Sequence, residues 1–348
     1  MTSGAQQQGS SRSTRLISLA RRLALASGLL FLVVLAFQVN LSEALAAFTQ
    51  VSLPWTLVGF GVLVIPYVLR AWRFQVLLSE RLPLSDLFYV TLVHSFARDM
   101  LPLGLGEAFY PSFLKTQRGV PLVEAVGSLA VTHVLDLTTL GFLFIIALSR
   151  IAAKIPQLAR VTSVIHLALL GTVLAGLVLW ALRRPVLGAW DRWTRQGESQ
   201  LGVRWKPLVD VISRALAAVQ AITSARVLAV AEVLTLLLWI VTLAGTGIVY
   251  GAMGFSLGVW ELTVLVSMMY FFAVLPIHSV GGLGTLDSLW VILILAFGIP
   301  HSFAMSYTVI RRVLSTVFSV LMGLIGLFKL GLRPWSRRPP TNSIGGVL

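Results

Sequence analysis

Between Val227 and Tyr250 the chain runs for 24 residues with a single charged side chain, Glu232. A helix of that length extends about 36 Å, enough to cross a hydrocarbon layer about 30 Å thick. Comparable runs occupy Leu23 to Val39, Pro54 to Leu69, about Pro121 to Leu148, Val161 to Leu182 and about Phe303 to Phe328. In lipid, a segment of this kind satisfies its backbone N–H and C=O groups internally only as a helix. With 57% hydrophobic and 11% charged residues, the 348-residue chain has too few charges to clothe a water-soluble fold. The sequence therefore specifies an all-α polytopic membrane protein.

Two further apolar regions are interrupted. Leu84 to Leu114 is broken by Leu101-Pro-Leu-Gly-Leu-Gly-Glu107, and Leu257 to Phe297 by Leu275-Pro-Ile-His-Ser-Val-Gly-Gly-Leu-Gly-Thr-Leu-Asp287. Proline followed by closely spaced glycines ends one helix and permits another to start in a new direction. Each region is expected to form a helical hairpin that enters the membrane and returns on the same side. The expected architecture has eight hydrophobic regions, six full spans plus two hairpins.

Net charge is +14, from 27 Lys and Arg against 13 Asp and Glu. In a soluble protein this would suggest nucleic acid, but here the basic residues sit in short loops between apolar runs, where they set topology. The cytoplasmic side receives 21 Lys and Arg: four in the N-terminal tail, five around the first hairpin, eight in the central loop and four at the C-terminus. Arg150, Lys154 and Arg160 fall outside, and Arg98, Arg311 and Arg312 at membrane depth. Both ends are then cytoplasmic, in the cell membrane. Residues 1–20 are expected to be a disordered basic tail, 21–330 one transmembrane domain, and 331–348 a second basic tail. A basic loop and an amphipathic interfacial helix are expected within about 183–226. Arg70-Ala-Trp-Arg73 reads as an interfacial anchor.

With this topology the two hairpins enter from opposite sides, and their breaks share an order: Leu-Pro, Gly-Leu-Gly, then an acid. That is the pattern of an inverted-topology repeat whose discontinuous helices meet near the midplane.

These stretches resemble the transmembrane-region family of lysylphosphatidylglycerol synthases, which includes stand-alone flippase-like proteins. The resembling residues are Arg70-Ala-Trp-Arg-Phe-Gln-Val-Leu-Leu78, the Leu101-to-Glu107 break, Thr132-His-Val-Leu-Asp136, the late Leu275-Pro and Gly281-Gly-Leu-Gly284, and a helix with Tyr307 and Arg311. The resemblance runs from about residue 20 to 330. The chain departs from the family pattern at Arg98-Asp99, where members often carry Asn, at Gly104, where an Arg is frequent, and at Thr132-His133, where a Glu-Arg pair is typical. In two-domain synthases an aminoacyl-transferase domain follows the membrane part. Here a short basic tail stands in that place, so the resemblance implies lipid handling rather than tRNA-dependent synthesis.

Charged groups at bilayer depth need a partner or a use. Arg311 and Arg312 suit a guanidinium fork for a lipid phosphate, or a structural ion pair with Asp136 or Glu107. The helix starts after Gly104, Gly106, Gly282 and Gly284 would offer free N–H groups to an anion; alternatively the glycines only permit tight packing. Glu107 and Asp287 are candidate helix caps, proton carriers or amine-binding groups. His133 and Asp136, three apart on one helical face, are a candidate proton relay or a mutually satisfied pair. Arg98 and Asp99, adjacent in sequence, are each expected to seek another partner, and Glu232 is a candidate buried partner for an Arg. No cysteine, P-loop or zinc motif is present, so no cofactor or catalytic constellation is expected.

The leading functional expectation is a translocase, flippase-like or scramblase-like, for an anionic phosphate-bearing lipid such as a phospholipid or polyprenyl-phosphate lipid. The alternatives are a non-catalytic partner of a lipid-modifying system and an intramembrane enzyme acting on headgroups.

Overall fold

The computed structural model describes residues 48–101, 105–152, 224–274 and 285–331. The expected spans Leu23 to Val39 and Val161 to Leu182, the amphipathic stretch and both tails lie outside them. So do Gly104, His278, Gly282 and Gly284.

Every described element is helical. In chain order they are α1 (Leu53–Leu77), α2 (Leu84–Met100), a 3-10 turn (Leu105–Ala108), α3 (Phe109–Arg118), α4 (Leu122–Ala152), α5 (Ala225–Ala252), α6 (Val259–Val274), α7 (Thr285–Ala296) and α8 (His301–Lys329). Four helices are long and apolar enough to cross a membrane: α1, α4 and α5, together with Ser306–Lys329 of α8. The two interrupted regions fold as shorter helix pairs, α2 with α3 and α6 with α7, as the Pro/Gly breaks predict.

Arg118 at the end of α3 reaches back to Asp86 in the first turn of α2 at 2.9 Å, so the first hairpin leaves on the side it entered. Gly119 ends α3 in the left-handed conformation (φ 66°), a backbone state that costs glycine little. Arg81, between α1 and α2, pairs at 2.6 Å with Glu124 in the first turn of α4, on the same rim.

The long-range packing forms a repeated plan. Helices α1 and α5 lie antiparallel along most of their length, with Gly59 against Val249, Gly245 against Leu63, and Arg73 against Thr235. Helix α2 packs antiparallel to α8, with Phe96 against Gly323 and Val93 against Gly326. Helix α6 packs antiparallel to α4, with Tyr270 near His133, Phe271 near Phe144, and Trp260 under Arg150. Exchanging α1–α4 with α5–α8 returns the α1–α5 pairing to itself and maps α2–α8 onto α6–α4, as a two-fold axis in the membrane plane would do. Because α2 and α6 run in opposite directions, the hairpins enter from opposite sides. Each half also has its own apolar core. Phe74, Leu87, Val90, Tyr110 and Leu114 enclose the first hairpin, and Tyr250, Leu265, Trp290, Ile294 and Tyr307 the second.

Lipid tails are as apolar as leucine, so close backbone approach rather than hydrophobic burial holds such helices together. A Cβ on Gly59 would meet Val249 Cγ2 at 2.6 Å and its backbone N at 3.2 Å, and one on Gly326 would meet the Tyr89 carbonyl oxygen at 2.9 Å. Gly61 faces open space. Thermal unfolding in detergent should show that Gly59→Leu and Gly326→Leu each cost about 1–3 kcal/mol through overpacking. Gly61→Leu should leave the transition in place.

Candidate functional site

Two polar clusters lie inside the bundle, one beside each hairpin. The first is centred on Asp136, 14 residues into α4 and so about 21 Å along its axis. Arg73 donates to both of its oxygens, Nη1 to Oδ1 at 2.7 Å and Nη2 to Oδ2 at 3.0 Å. Trp239 Nε1 of α5 donates to Oδ1 at 3.0 Å, and the Tyr270 hydroxyl of α6 donates to Oδ2 at 3.2 Å. Arg73 also donates to Thr235 Oγ1 at 2.8 Å. The side chains of Arg73 and Asp136 are 1% and 5% exposed. Four helices thus converge on one carboxylate, whose two oxygens each accept two hydrogen bonds.

This corrects two expectations. Arg73 is not an interfacial anchor: its neighbour Trp72 faces outward while Arg73 is sealed in the bundle. Asp136 takes Arg73 rather than Arg311 or Arg312.

The same cluster extends to the first break. His94 Nε2 of α2 lies 2.9 Å from Glu107 Oε2, and His133 Nε2 of α4 lies 3.4 Å from that same oxygen. His133 Nδ1 lies 3.3 Å from the Tyr270 hydroxyl. His133 and Asp136 therefore meet through Tyr270 rather than directly. Glu107 is held by two imidazoles and does more than cap a helix. The 3-10 turn carrying it folds so tightly onto the end of α2 that a Cβ on Gly106 would collide with the backbone of Ala97 and Arg98. The close-packing role accounts for this glycine.

Arg98 Nε is 3.6 Å from its sequence neighbour Asp99 Oδ1, against the expectation that the two would look elsewhere; Asp99 also accepts from Ser319 of α8 at 2.8 Å. Arg70 donates to Ser95 Oγ at 3.3 Å, one helical turn below Arg98, which brings a second guanidinium to the same face. Arg98, Asp99, Glu107 and His133 keep 29, 41, 28 and 26% of their side chains exposed, so this part of the cluster is only partly covered, unlike Arg73 and Asp136. Glu232 takes no arginine: its Oε1 accepts from Thr139 at 2.7 Å, and its buried Oε2 has no partner among the described residues.

The second cluster joins α7 and α8. Arg311 Nη2 and Arg312 Nη2 each lie 2.6 Å from Asp287 Oδ1, with side chains 14 and 13% exposed. Arg311 also stacks over Trp290, 5.3 Å from the ring centroid, and Trp290 donates to the Tyr250 hydroxyl at 2.9 Å. Asp287 is therefore the arginines' carboxylate partner. Among the described residues no group of three or more His, Asp or Glu side chains forms a metal-binding set.

A broken hairpin in each half, a carboxylate just past each break and a basic group on the closing helix of the same half now stand together. The model of the lysylphosphatidylglycerol synthase TM region matches residues 21–323. The chain belongs to this family. No curated protein and no solved structure matches it. Membership makes this a multi-pass membrane protein with a lipid-related function.

Sequence reasoning missed Arg70, Arg73 and Tyr270. A signal existed for the last: a phenol five residues before Leu275-Pro, the polar group of this arm that stands nearest the break. Removing one member of a buried ion pair strands the other, so Asp136→Asn should lower stability by about 3–5 kcal/mol. Arg81→Gln removes an ion pair whose arginine is 55% exposed and should cost about 1 kcal/mol or less. Thermal or denaturant unfolding of the detergent-solubilised protein measures both.

Proposed function

We propose that this protein moves an anionic, phosphate-bearing lipid across the membrane, without ATP and with both chain ends in the cytoplasm. The observation that carries the reading is the half-open polar face at the first break. There Arg70 and Arg98 share one side of the α1–α2 pair, beside Glu107 and His133, at the depth where hydrocarbon would otherwise be continuous. A headgroup phosphate accepts forked hydrogen bonds from guanidinium groups and offsets the desolvation of two like charges held near one another. In this family member Arg70 and Arg98 suit that role better than Arg311 and Arg312, which already grip Asp287. The opposed hairpins supply the two half-pathways that alternating access requires. With Arg70 and Arg73 moved from the cytoplasmic count to membrane depth, 19 Lys and Arg against three outside still support the orientation.

Glu107 between two histidines also has the form of an acid–base group, which favours headgroup chemistry as a second reading. Mass spectra of a lipid panel incubated with the protein separate the two, since translocation leaves every lipid mass unchanged.

Proteoliposomes containing labelled phospholipid or polyprenyl-phosphate lipid test the proposal. Protein-dependent transbilayer movement is expected for at least one such lipid. Arg98→Gln should slow it about 10- to 100-fold, the worth of a charge-assisted contact. Arg81→Gln on the rim should leave the rate unchanged. No movement of any such lipid by folded protein would overturn the reading.

A further inference from the structure

The two halves carry the same device with different chemistry. In each, a carboxylate follows the glycine break and stands three residues before an aromatic that contacts the half's first helix: Glu107 before Tyr110, which stacks on Phe74, and Asp287 before Trp290, which bonds Tyr250. In each, a basic group on the half's closing helix binds that carboxylate from 24 to 26 positions further on, His133 for Glu107 and Arg311 and Arg312 for Asp287. A guanidinium holds its charge at any physiological pH, whereas an imidazole gains and loses its charge there. The second half therefore contains a permanent ion pair, and the first contains a titratable one.

Proton counting along the first cluster is restrictive. Tyr270 has one hydroxyl proton, which it donates to Asp136 Oδ2. The Tyr270 oxygen can then only accept from His133, so His133 Nδ1 carries a proton. On the other side, the contact between His133 Nε2 and Glu107 Oε2 needs a proton too, on one atom or the other. His94 does not release this constraint. Its Nε2 proton is given to Glu107, and its buried Nδ1 has no partner among the described residues, which is the pattern of a neutral ring. The Glu107–His133 pair thus holds one proton more than an ionised carboxylate beside a neutral imidazole.

We infer that Glu107 and His133 form a proton-binding site, and that loss of its proton switches the Tyr270 hydroxyl from Asp136 to His133. The proton leaves His133 Nδ1, or leaves Glu107 with His133 changing tautomer. In both cases the product is the Glu107 carboxylate accepting Nε2–H, with a lone pair on Nδ1. The Tyr270 O–H turns to donate to that lone pair. Asp136 Oδ2 keeps its bond from Arg73 Nη2, so no buried charge is stranded. The consequence is mechanical, because Tyr270 belongs to the entering arm of the second hairpin, whereas Glu107 sits at the break of the first. Tyr270 stays bonded to His133 in both states, so one proton decides whether α6 also keeps its bond to the Arg73–Asp136 anchor.

Other charged and titratable groups face this pair. His94 and Arg98 of α2 act on the pair directly, Tyr67, Arg70 and Arg73 of α1, Asp99 of α2, Tyr110 of α3 and Asp136 of α4 lie in the surrounding cluster, and Glu232 of α5 stands further off on Thr139. The Arg73–Asp136 contact is the same in both states, so the change of charge falls on Glu107 and His133.

The site itself stands on geometry, whereas its coupling to transport rests on the translocase reading. Histidine-selective ¹⁵N spectra of the full chain in lipid nanodiscs, recorded from pH 5 to 9, read the site directly. One histidine should change protonation or tautomer in a single step, absent in His133→Gln. Tyr270→Phe should displace that step by about one pH unit, as loss of a hydrogen bond to a charged group requires. Lipid movement in proteoliposomes should vary with pH in the wild type and be flat in both His133→Gln and His133→Arg, the latter copying the permanent pair of the second half. A His133 signal constant over this range, or a step indifferent to Tyr270→Phe, overturns the site. An unaltered pH profile in both His133 variants overturns the coupling. No lipid movement with the ¹⁵N step intact would instead condemn the translocase reading and support the site.

Discussion

Taking a guanidinium and a carboxylate out of water costs several kcal/mol for each ion, and their mutual attraction repays this only when the remaining hydrogen-bonding capacity is filled. Arg73 and Asp136 meet that condition through other helices: Thr235 and Trp239 come from α5 and Tyr270 from α6. The pair therefore fixes the relative positions of four helices at once. Rotating α1, α4, α5 or α6 about its axis would strand a charge in a medium that cannot solvate it. The glycine crossings bring α1 against α5 closely enough for Arg73 to reach Thr235, so the apolar packing and the polar centre specify the same arrangement.

Segment type was legible because the hydrocarbon layer is a simple selector. Length and apolarity identify α1, α4, α5 and α8, and Pro/Gly breaks identify the hairpins, since each of those signals is local. The inverted plan was visible only as a similarity between two breaks. What secures it is the set of antiparallel pairings, which join residues up to about 230 positions apart, such as Phe96 and Gly323.

The polar interior was harder to read, for a geometric reason. Arg70-Ala-Trp-Arg73 has the composition of an interfacial belt, yet adjacent helical residues point about 100° apart. Trp72 can therefore face outward while Arg73 faces the core, and only the position of Asp136, 63 residues later, decides which way the charge goes. Arg98 and Asp99 show the opposite error. Neighbours on a helix do not face one another, but the long arginine side chain bends back far enough to bring its Nε to 3.6 Å. Arg311 and Arg312 were recognised as needing a partner, and the carboxylate they found is the one nearest in sequence, Asp287.

The halves differ in the chemistry of one contact, His133 on Glu107 against Arg311 and Arg312 on Asp287. Two identical permanent ion pairs would give each hairpin the same affinity for its closing helix under all conditions, leaving no reason to favour one arrangement over the other. Replacing the guanidinium of one pair by an imidazole makes that half's contact depend on a proton. Tyr270 then makes the dependence felt by the opposite half, because a single hydroxyl proton cannot serve Asp136 and His133 together. The fixed Arg311–Asp287–Arg312 contact keeps α7 bound to α8 while this exchange occurs, so the α6 arm, not the whole second hairpin, is the element free to respond. If the Glu107–His133 contact binds a proton as proposed, a symmetric frame with one titratable contact is a two-state device whose bias is set by pH, and the partly exposed Arg98 and Glu107 would place that bias beside the surface a headgroup would meet.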